Sequence, residues 1–371
     1  MKFNCERSVL LKEVSIAQEV ISSKNVNSVL SNLYIKAEGN GLIIKATDNK
    51  VNFETNVPVD VKEEGFTMVF VEKFLGILNS IPEGELEFEK KDNIIVIKPL
   101  AKKIKFQLRC VASEKYPEFS VFNKDMYFEV PIKDFKEMIL QTVFAVSDDE
   151  TRYFMNGVLF RKEEDKLIIV ATDGRRLAYA EKSMDLEIDD FAGVIVHPKI
   201  FNVILRRAGD EGLLGISITD KNIYVQFGSY KLSSVLIEGQ FPNYQRVIPE
   251  SQEKSFILNR QETLDALKRV SLMVEQKSYR VYMILSPGVM TISSSRDDEE
   301  GDIGNAREDI PCKYDGEEVT IALNYRYIEE PFKIIGEDEI SIHFTEAAKA
   351  ITIKPVPEKD YFHIAMPMQL D

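Results

Sequence analysis

Three histidines, His197, His343 and His363, are the side chains of this 371-residue chain most suited to titrating or ligating a metal near neutral pH. They lie far apart with no second ligand at metal-site spacing, and are read as loop, strand and terminal residues. The run Asp297, Asp298, Glu299, Glu300, Gly301, Asp302 has the composition of a calcium loop without its order. An EF-hand alternates its ligands and closes on a Glu about twelve positions in, whereas these acids are contiguous. The run is therefore read as a solvated or partner-facing edge. Asp148, Asp149 and Glu150 lack a basic or nucleophilic partner close in sequence. Cys5, Cys110 and Cys312 have no ligand-like spacing and are read as reduced and structurally incidental. No GxxxxGK[ST] or GxGxxG stretch occurs. Catalysis, a metal and a cofactor are all unexpected, and a metal-dependent nucleic-acid enzyme built on the acidic clusters is only the alternative reading.

The remaining chemistry is charge. A net charge of −14 argues against a polyanion as partner, because phosphate binding rests on Lys and Arg. The distribution is uneven, however. Helical patterns over 6–24, 72–80, 132–146, 198–208, 260–274 and 324–335 carry more basic than acidic side chains, and the rest of the chain holds the acidic excess. The segment 198–208 brings Lys199, Arg206 and Arg207 with no acid of its own. Two explanations compete, ordinary solvated helix faces and a segregated field in which helices face an anion.

The elements that carry these charges come in three copies about 125 residues apart. Phe3, Phe128 and Phe256 each open an alternating apolar stretch that runs into an amphipathic helix. LIIKATDNK at 42–50 returns as LIIVATDGR at 167–175, with a divergent VMTISSSRD at 289–297. A period this long matches a whole domain rather than a solenoid repeat. Each copy reads as a doubled β-α-β-β-β unit, which gives an α+β class of three tandem similar domains with bounds at 1–123, 124–251 and 252–371. Pro331 is expected to end the last helix near Glu330 or bend it there. Charged residues interrupt the N-terminus, and no run of about 18 apolar residues occurs, so a cytoplasmic location is expected.

RYFMNG at 152–157, ATDGRRL at 171–177, FPNYQRVIP at 241–249 and MPMQL at 366–370, in this order on a threefold repeat, resemble the bacterial sliding-clamp family, the β subunits of DNA polymerase III. The resemblance spans the whole chain. It implies the DNA clamp fold, with two three-domain subunits closing head to tail into a six-domain ring around duplex DNA. Such a homodimer confers processivity on the DNA-directed polymerase without catalysis, and a separate ATPase, the clamp loader, opens it. Modest positive lining would suffice, since tight phosphate contacts add friction.

The resemblance also implies sites. Lys24, Lys199 and Arg206 fall where the family has DNA-facing basic residues. Asp149 departs from the amide that some members carry, and no DNA contact is assigned to it. Short peptides from the polymerase α subunit, other polymerases and the loader are expected in a hydrophobic cleft. Its matching positions are Met155, Thr172, Gly174, Arg175, Arg176 and Leu177, then Pro242, Arg246 and Val247, then Met366, Pro367, Met368 and Leu370. Methionines suit varied apolar anchors, although a packed terminal strand would also explain Met366 and Met368. Gln369 stands where the family often has Arg, and Asp371 extends the usual end, so the resemblance leaves peptide preference open. The ring seam falls on Lys73, Phe106, Leu272 and Met273. Lys102, Lys103 and Lys105 add a basic edge that closure would bring to the acidic run at 297–302. A scaffold that binds only proteins explains the repeat but not the basic bias of the helices.

Overall fold

The computed structural model describes residues 1–21, 29–111, 116–119, 126–296 and 304–370. Lys24, the acidic run at 297–302 and Asp371 lie outside the described residues. Among the described residues the six α-helices are α1 (Arg7–Val20), α2 (Val71–Ser80), α3 (Ile132–Leu140), α4 (Pro198–Arg207), α5 (Arg260–Val270) and α6 (Arg326–Ile334).

The same pairings recur in each copy. The opening strands Lys2–Glu6, Tyr127–Pro131 and Lys254–Asn259 pair antiparallel with Glu85–Lys91, Leu213–Ile218 and Glu339–Phe344. Each opening strand leads into a helix whose first N–H would otherwise lack a partner. A neighbouring loop carbonyl takes that role every time: Arg7 N donates to Gly84 O at 3.0 Å, Ile132 N to Gly212 O at 3.0 Å and Arg260 N to Asp338 O at 2.8 Å. The phenylalanines that open the repeats, Phe3, Phe128 and Phe256, are all buried. Phe3 stacks on Phe88 at 4.7 Å, and Phe256 meets Phe344 edge-on at 6.0 Å. Removing such a ring costs about 3–5 kcal/mol.

The chain divides into two compact units that cut through the second copy. One comprises Met1–Lys133, Leu186–Ile188 and Lys199–Leu236. Its 13-stranded antiparallel sheet runs from Tyr127–Pro131 at one edge to Asp60–Glu63 at the other. Inside it Tyr230–Val235 pairs with Val51–Pro58, which joins second-copy sequence to first. The other unit comprises Asp134–Asp185, Asp189–Pro198 and Ile237–Asp371. Its 12-stranded sheet runs from Phe191–Val196 to Val319–Asn324, and Arg176–Ser183 pairs with Tyr361–Ala365 in the corresponding way.

Several helix ends differ from the sequence expectation, for local reasons. Ile21 turns extended, so α1 stops at Val20. α3 stops at Leu140 because Thr142 Oγ1 bonds back to the Met138 and Ile139 carbonyls at 2.8 and 3.3 Å, and a 3₁₀ turn follows over Val143–Ala145. α5 gives way to a 3₁₀ turn at Ser271–Met273. α6 runs through Pro331 to Ile334, so of the two expectations, an end near Glu330 or a bend there, the end is not what occurs. The proline forfeits a single backbone bond, while buried Ile328 and Phe332 on either side anchor the helix to its core.

Candidate functional site

The sequence ATDGRR folds into a turn in which the side chains of Thr172, Asp173 and Arg176 are all engaged. Gly174 N donates to Thr172 Oγ1 at 3.0 Å, and Thr172 Oγ1 donates to Arg176 O at 2.6 Å. Asp173 Oδ1 accepts from the backbone of Arg175 and Arg176 at 2.8 and 3.0 Å. Its Oδ2 takes Arg176 Nε at 3.0 Å. Gly174 sits at φ +86°, and a Cβ there would lie 2.9 Å from Arg152 Nη1, with Met155 Cε at 3.9 Å. Met155 is thereby placed beside the turn.

Arg176 is the best-held cation of this region. Besides Asp173 it pairs with Glu330 and donates to Phe144 O at 2.9 Å. Its guanidinium lies 5.0 Å from the Tyr327 ring centre and 5.5 Å from that of Phe144. Planar stacking and a forked donor set are what arginine offers over lysine. Burial pushes the Tyr327 hydroxyl above the usual phenol range.

Leu177, Ile364 and Tyr244 share a buried apolar cluster with Leu159, Ile168, Val170 and Ile195. Leu177 faces Ile364 across the strand pair, and Met366 N donates to Arg175 O at 2.9 Å, so the C-terminal segment continues along the turn. Further on, Met368 bridges to Ala322 and Leu370 O accepts from Arg296 Nη1 at 2.8 Å. The turn Tyr244–Val247 buries Tyr244 and leaves Arg246 exposed, with Pro242 half-buried before it. Met366 keeps 41% of its surface and Val247 50%. The region thus combines a buried apolar cluster, the exposed apolar side chains of Met366 and Val247 on segments that continue from it, and the engaged cation of Arg176.

Sequence reasoning named the backbone of this arrangement but missed Asp173, Glu330, Tyr327 and Phe144, which hold Arg176. The repeated ATD signal pointed at Asp173; the others lie far off in sequence. Asp149, expected to be isolated, caps the turn that follows it. It accepts from Thr151 Oγ1 at 2.6 Å, Thr151 N at 2.9 Å and Arg152 Nε at 3.0 Å, and these bonds, the threonine hydroxyl's first, hold its carboxyl below the usual range. His363 is a buried strand residue, and His343 meets Ser341 Oγ at 3.1 Å. Among the described residues no group of three or more His, Cys, Asp or Glu could hold a metal ion.

The basic residues of α4 are not bare. Lys199 Nζ reaches Asp48 Oδ2 at 2.5 Å and Val20 O at 3.1 Å. Arg206 pairs with Glu19 of α1, and Arg207 Nη2 donates to Lys12 O at 2.6 Å. Acids absent from α4 are thus supplied by α1 and by the first ATD turn. Elsewhere, Lys73 is exposed on α2, as are Lys102, Lys103 and Lys105 ahead of half-buried Phe106. Leu272 is 77% exposed and Met273 40%, an apolar pair open to solvent on this chain.

Three copies of a doubled β-α-β-β-β unit on long antiparallel sheets make up the DNA clamp fold. Models of the N-terminal, central and C-terminal domains of the DNA polymerase III beta subunit match residues 1–120, 129–243 and 245–369. The chain is 48% identical to the beta sliding clamp of Treponema pallidum and 26% identical to that of Proteus mirabilis, with both chains covered in full in each case. A sliding clamp from Bartonella birtlesii, solved bound to griselimycin, superimposes with a TM-score of 0.89 at 26% identity over the whole of both chains. One from Pseudomonas aeruginosa gives 0.86 at 25%, again over both full lengths. The chain belongs to the bacterial beta sliding clamp family, the β subunits of DNA polymerase III. It is a non-catalytic processivity factor whose partners are DNA and a DNA polymerase, and the metal-enzyme alternative has no support. No helix among the described residues is long and apolar enough to cross a membrane.

Proposed function

We propose that the region around Arg176 is where this clamp takes hold of its polymerase. Met366 and Val247 would receive the apolar anchors of a short peptide, Met155, Leu177 and Pro242 would form the floor and walls, and Arg175, Arg176 and Arg246 would hold polar groups at the rim. Thr172 and Gly174 shape the turn, and Pro367, Met368 and Leu370 carry the C-terminal side. The peptides would come from the DNA polymerase III α subunit, other polymerases and the clamp-loader ATPase. The observation that carries this reading is the pair of exposed apolar side chains, Met366 and Val247, beside a floor that includes Leu177, Ile364 and Tyr244. Replacing Met366 and Val247 with Asp should abolish binding of a fluorescent peptide with two apolar anchors while leaving the unfolding transition in place. Unchanged peptide affinity in that variant refutes the assignment.

The ring itself belongs to the same proposal. The three domains at 1–123, 124–251 and 252–371 would form one half, and a second copy the other, in the cytoplasm. Lys73, Lys103, Lys105 and Phe106 of one copy would meet Leu272 and Met273 of the next. Lys24, Lys199 and Arg206 would face enclosed duplex DNA without reading its sequence. Exposed Leu272 and Met273 support the seam, since a large apolar pair in water usually marks a contact.

A further inference from the structure

α4 contributes three cations and no acid, yet all three are engaged within the chain. Arg207 is spent on a backbone carbonyl, which leaves its charge in place. Lys199 and Arg206 are different, because each ends on a carboxylate, Asp48 and Glu19 respectively. A phosphate oxygen and a carboxylate oxygen compete for the same ammonium or guanidinium protons.

We propose that Asp48 and Glu19 are built-in counter-charges that weaken the grip of the helix face on a polyanion, each holding a cation that a phosphate can take only by displacing the carboxylate. The proposal rests on the reading that Lys199 and Arg206 face DNA, and it names what regulates that face. The two brakes are unequal. The Glu19–Arg206 pair is open to solvent on both sides, 41% and 55% exposed, and would exchange easily. Asp48 keeps only 11% of its side-chain surface, and Lys199 29%. Burial pushes the Asp48 carboxyl up, but the Lys199 ammonium and the backbone donors of Val51 and Lys50 outweigh it and hold the group below the usual range.

Asp48 is also fixed by its turn, as the repeat shows. Its Oδ1 accepts from Lys50 N and Val51 N at 3.0 and 2.8 Å, and its Oδ2 is left for Lys199. Asp173, its equivalent in the second copy, divides its oxygens the same way, Oδ1 to the turn and Oδ2 to Arg176. Thr47 and Thr172 both accept from the residue two further on, at 2.9 and 3.0 Å. Asn49 at φ +71° stands where Gly174 has φ +86°. The Thr-Asp turn is thus one device used twice, a carboxylate held rigid by backbone donors with its second oxygen aimed at a cation. In a sliding protein its use at Lys199 keeps each phosphate contact weak and short-lived.

The test measures anisotropy of a fluorescent duplex fragment against the full-length protein across a range of salt concentrations. Glu19→Gln and Asp48→Asn should each tighten binding a few-fold, and together should steepen the salt dependence by about 0.9 in slope per phosphate gained. Glu72→Gln, at an exposed position on α2, controls for the general loss of negative charge. Equal tightening by Glu72→Gln overturns the proposal, as does wild-type affinity and slope in the two paired variants. Asn retains the Oδ1 acceptor that the turn needs; if Asp48→Asn nevertheless fails to fold, exposed Glu19→Gln alone decides the matter. A Lys199→Gln plus Arg206→Gln variant separates the two claims. If it loses affinity while the carboxamide variants match wild type, only the counter-charge idea falls. If it binds as wild type does, the DNA-facing assignment falls and takes the proposal with it.

Discussion

His363 lies in the strand that carries Ile364 and Ala365 toward Met366, and it makes the stability of this region sensitive to acid. Its Nε2 is 2.9 Å from Gln141 O. A carbonyl only accepts, so the proton is on Nε2, and Nδ1 is left buried with no hydrogen-bond partner among the described residues. Protonation would place a second N–H in a buried site where no described group receives it. Burial, with the charge of Arg176 adding and the Gln141 carbonyl opposing, lowers the imidazole from 6.5 to about 4. Below 6.5 an unfolded chain takes up a proton that the folded chain refuses until about pH 4. The associated stability is therefore complete above pH 6.5, declines as pH falls through that window, and is gone below about pH 4. Its full size is about 3 kcal/mol, taken from that interval at about 1.4 kcal/mol per unit. Imidazole proton resonances, assigned with a His363→Gln variant, give the titration directly. Urea unfolding at about pH 7 and about pH 5 should show the wild type losing roughly 2 kcal/mol more than the variant. A His363 resonance titrating near 6.5, or equal losses in both proteins, would refute the reasoning.

Other outcomes follow from the same geometry. Arg176→Lys keeps a charge but loses the fork and the stacking on Tyr327 and Phe144; peptide affinity measured by anisotropy should fall about ten-fold, with about 1–3 kcal/mol of stability lost. Gly174→Val places a β-branched residue at φ +86° and should lower stability by about 1–2 kcal/mol in denaturant titration, together with peptide affinity. In sedimentation, raised salt and the Lys103→Glu plus Lys105→Glu variant should both weaken the dimer; an unchanged equilibrium discards the seam. Purified protein with divalent metal should cleave no nucleic acid, and nuclease activity that co-purifies through every step would contradict the non-catalytic assignment.

The sequence disclosed the repeat well because its signals are local. Phe3, Phe128 and Phe256, the ATD turns and the apolar stripes each report on a few neighbouring residues, and those elements recur in the structure with the same pairings. Helix ends were less legible, since they depend on one hydroxyl at Thr142 or on the packing of Phe332 around Pro331. Least legible were the partners of charged groups. Nothing near 198–208 announces that Asp48 and Glu19 hold Lys199 and Arg206, because those contacts span more than 150 residues of chain. The same is true of Glu330 against Arg176. Spacing within one element shows which face is cationic, and only the tertiary fold shows how much of that charge is already answered.

Enclosure of DNA is the claim on which the rest depends, and topology tests it without reference to any single contact. Protein loaded by a clamp loader onto a nicked circular plasmid should stay with the DNA through gel filtration at high salt, and should be released when a restriction enzyme linearises the plasmid. Dissociation from the intact circle in high salt, or retention on the linear product whose ends are unblocked, would mean that the protein holds DNA by adhesion and that the ring account is wrong.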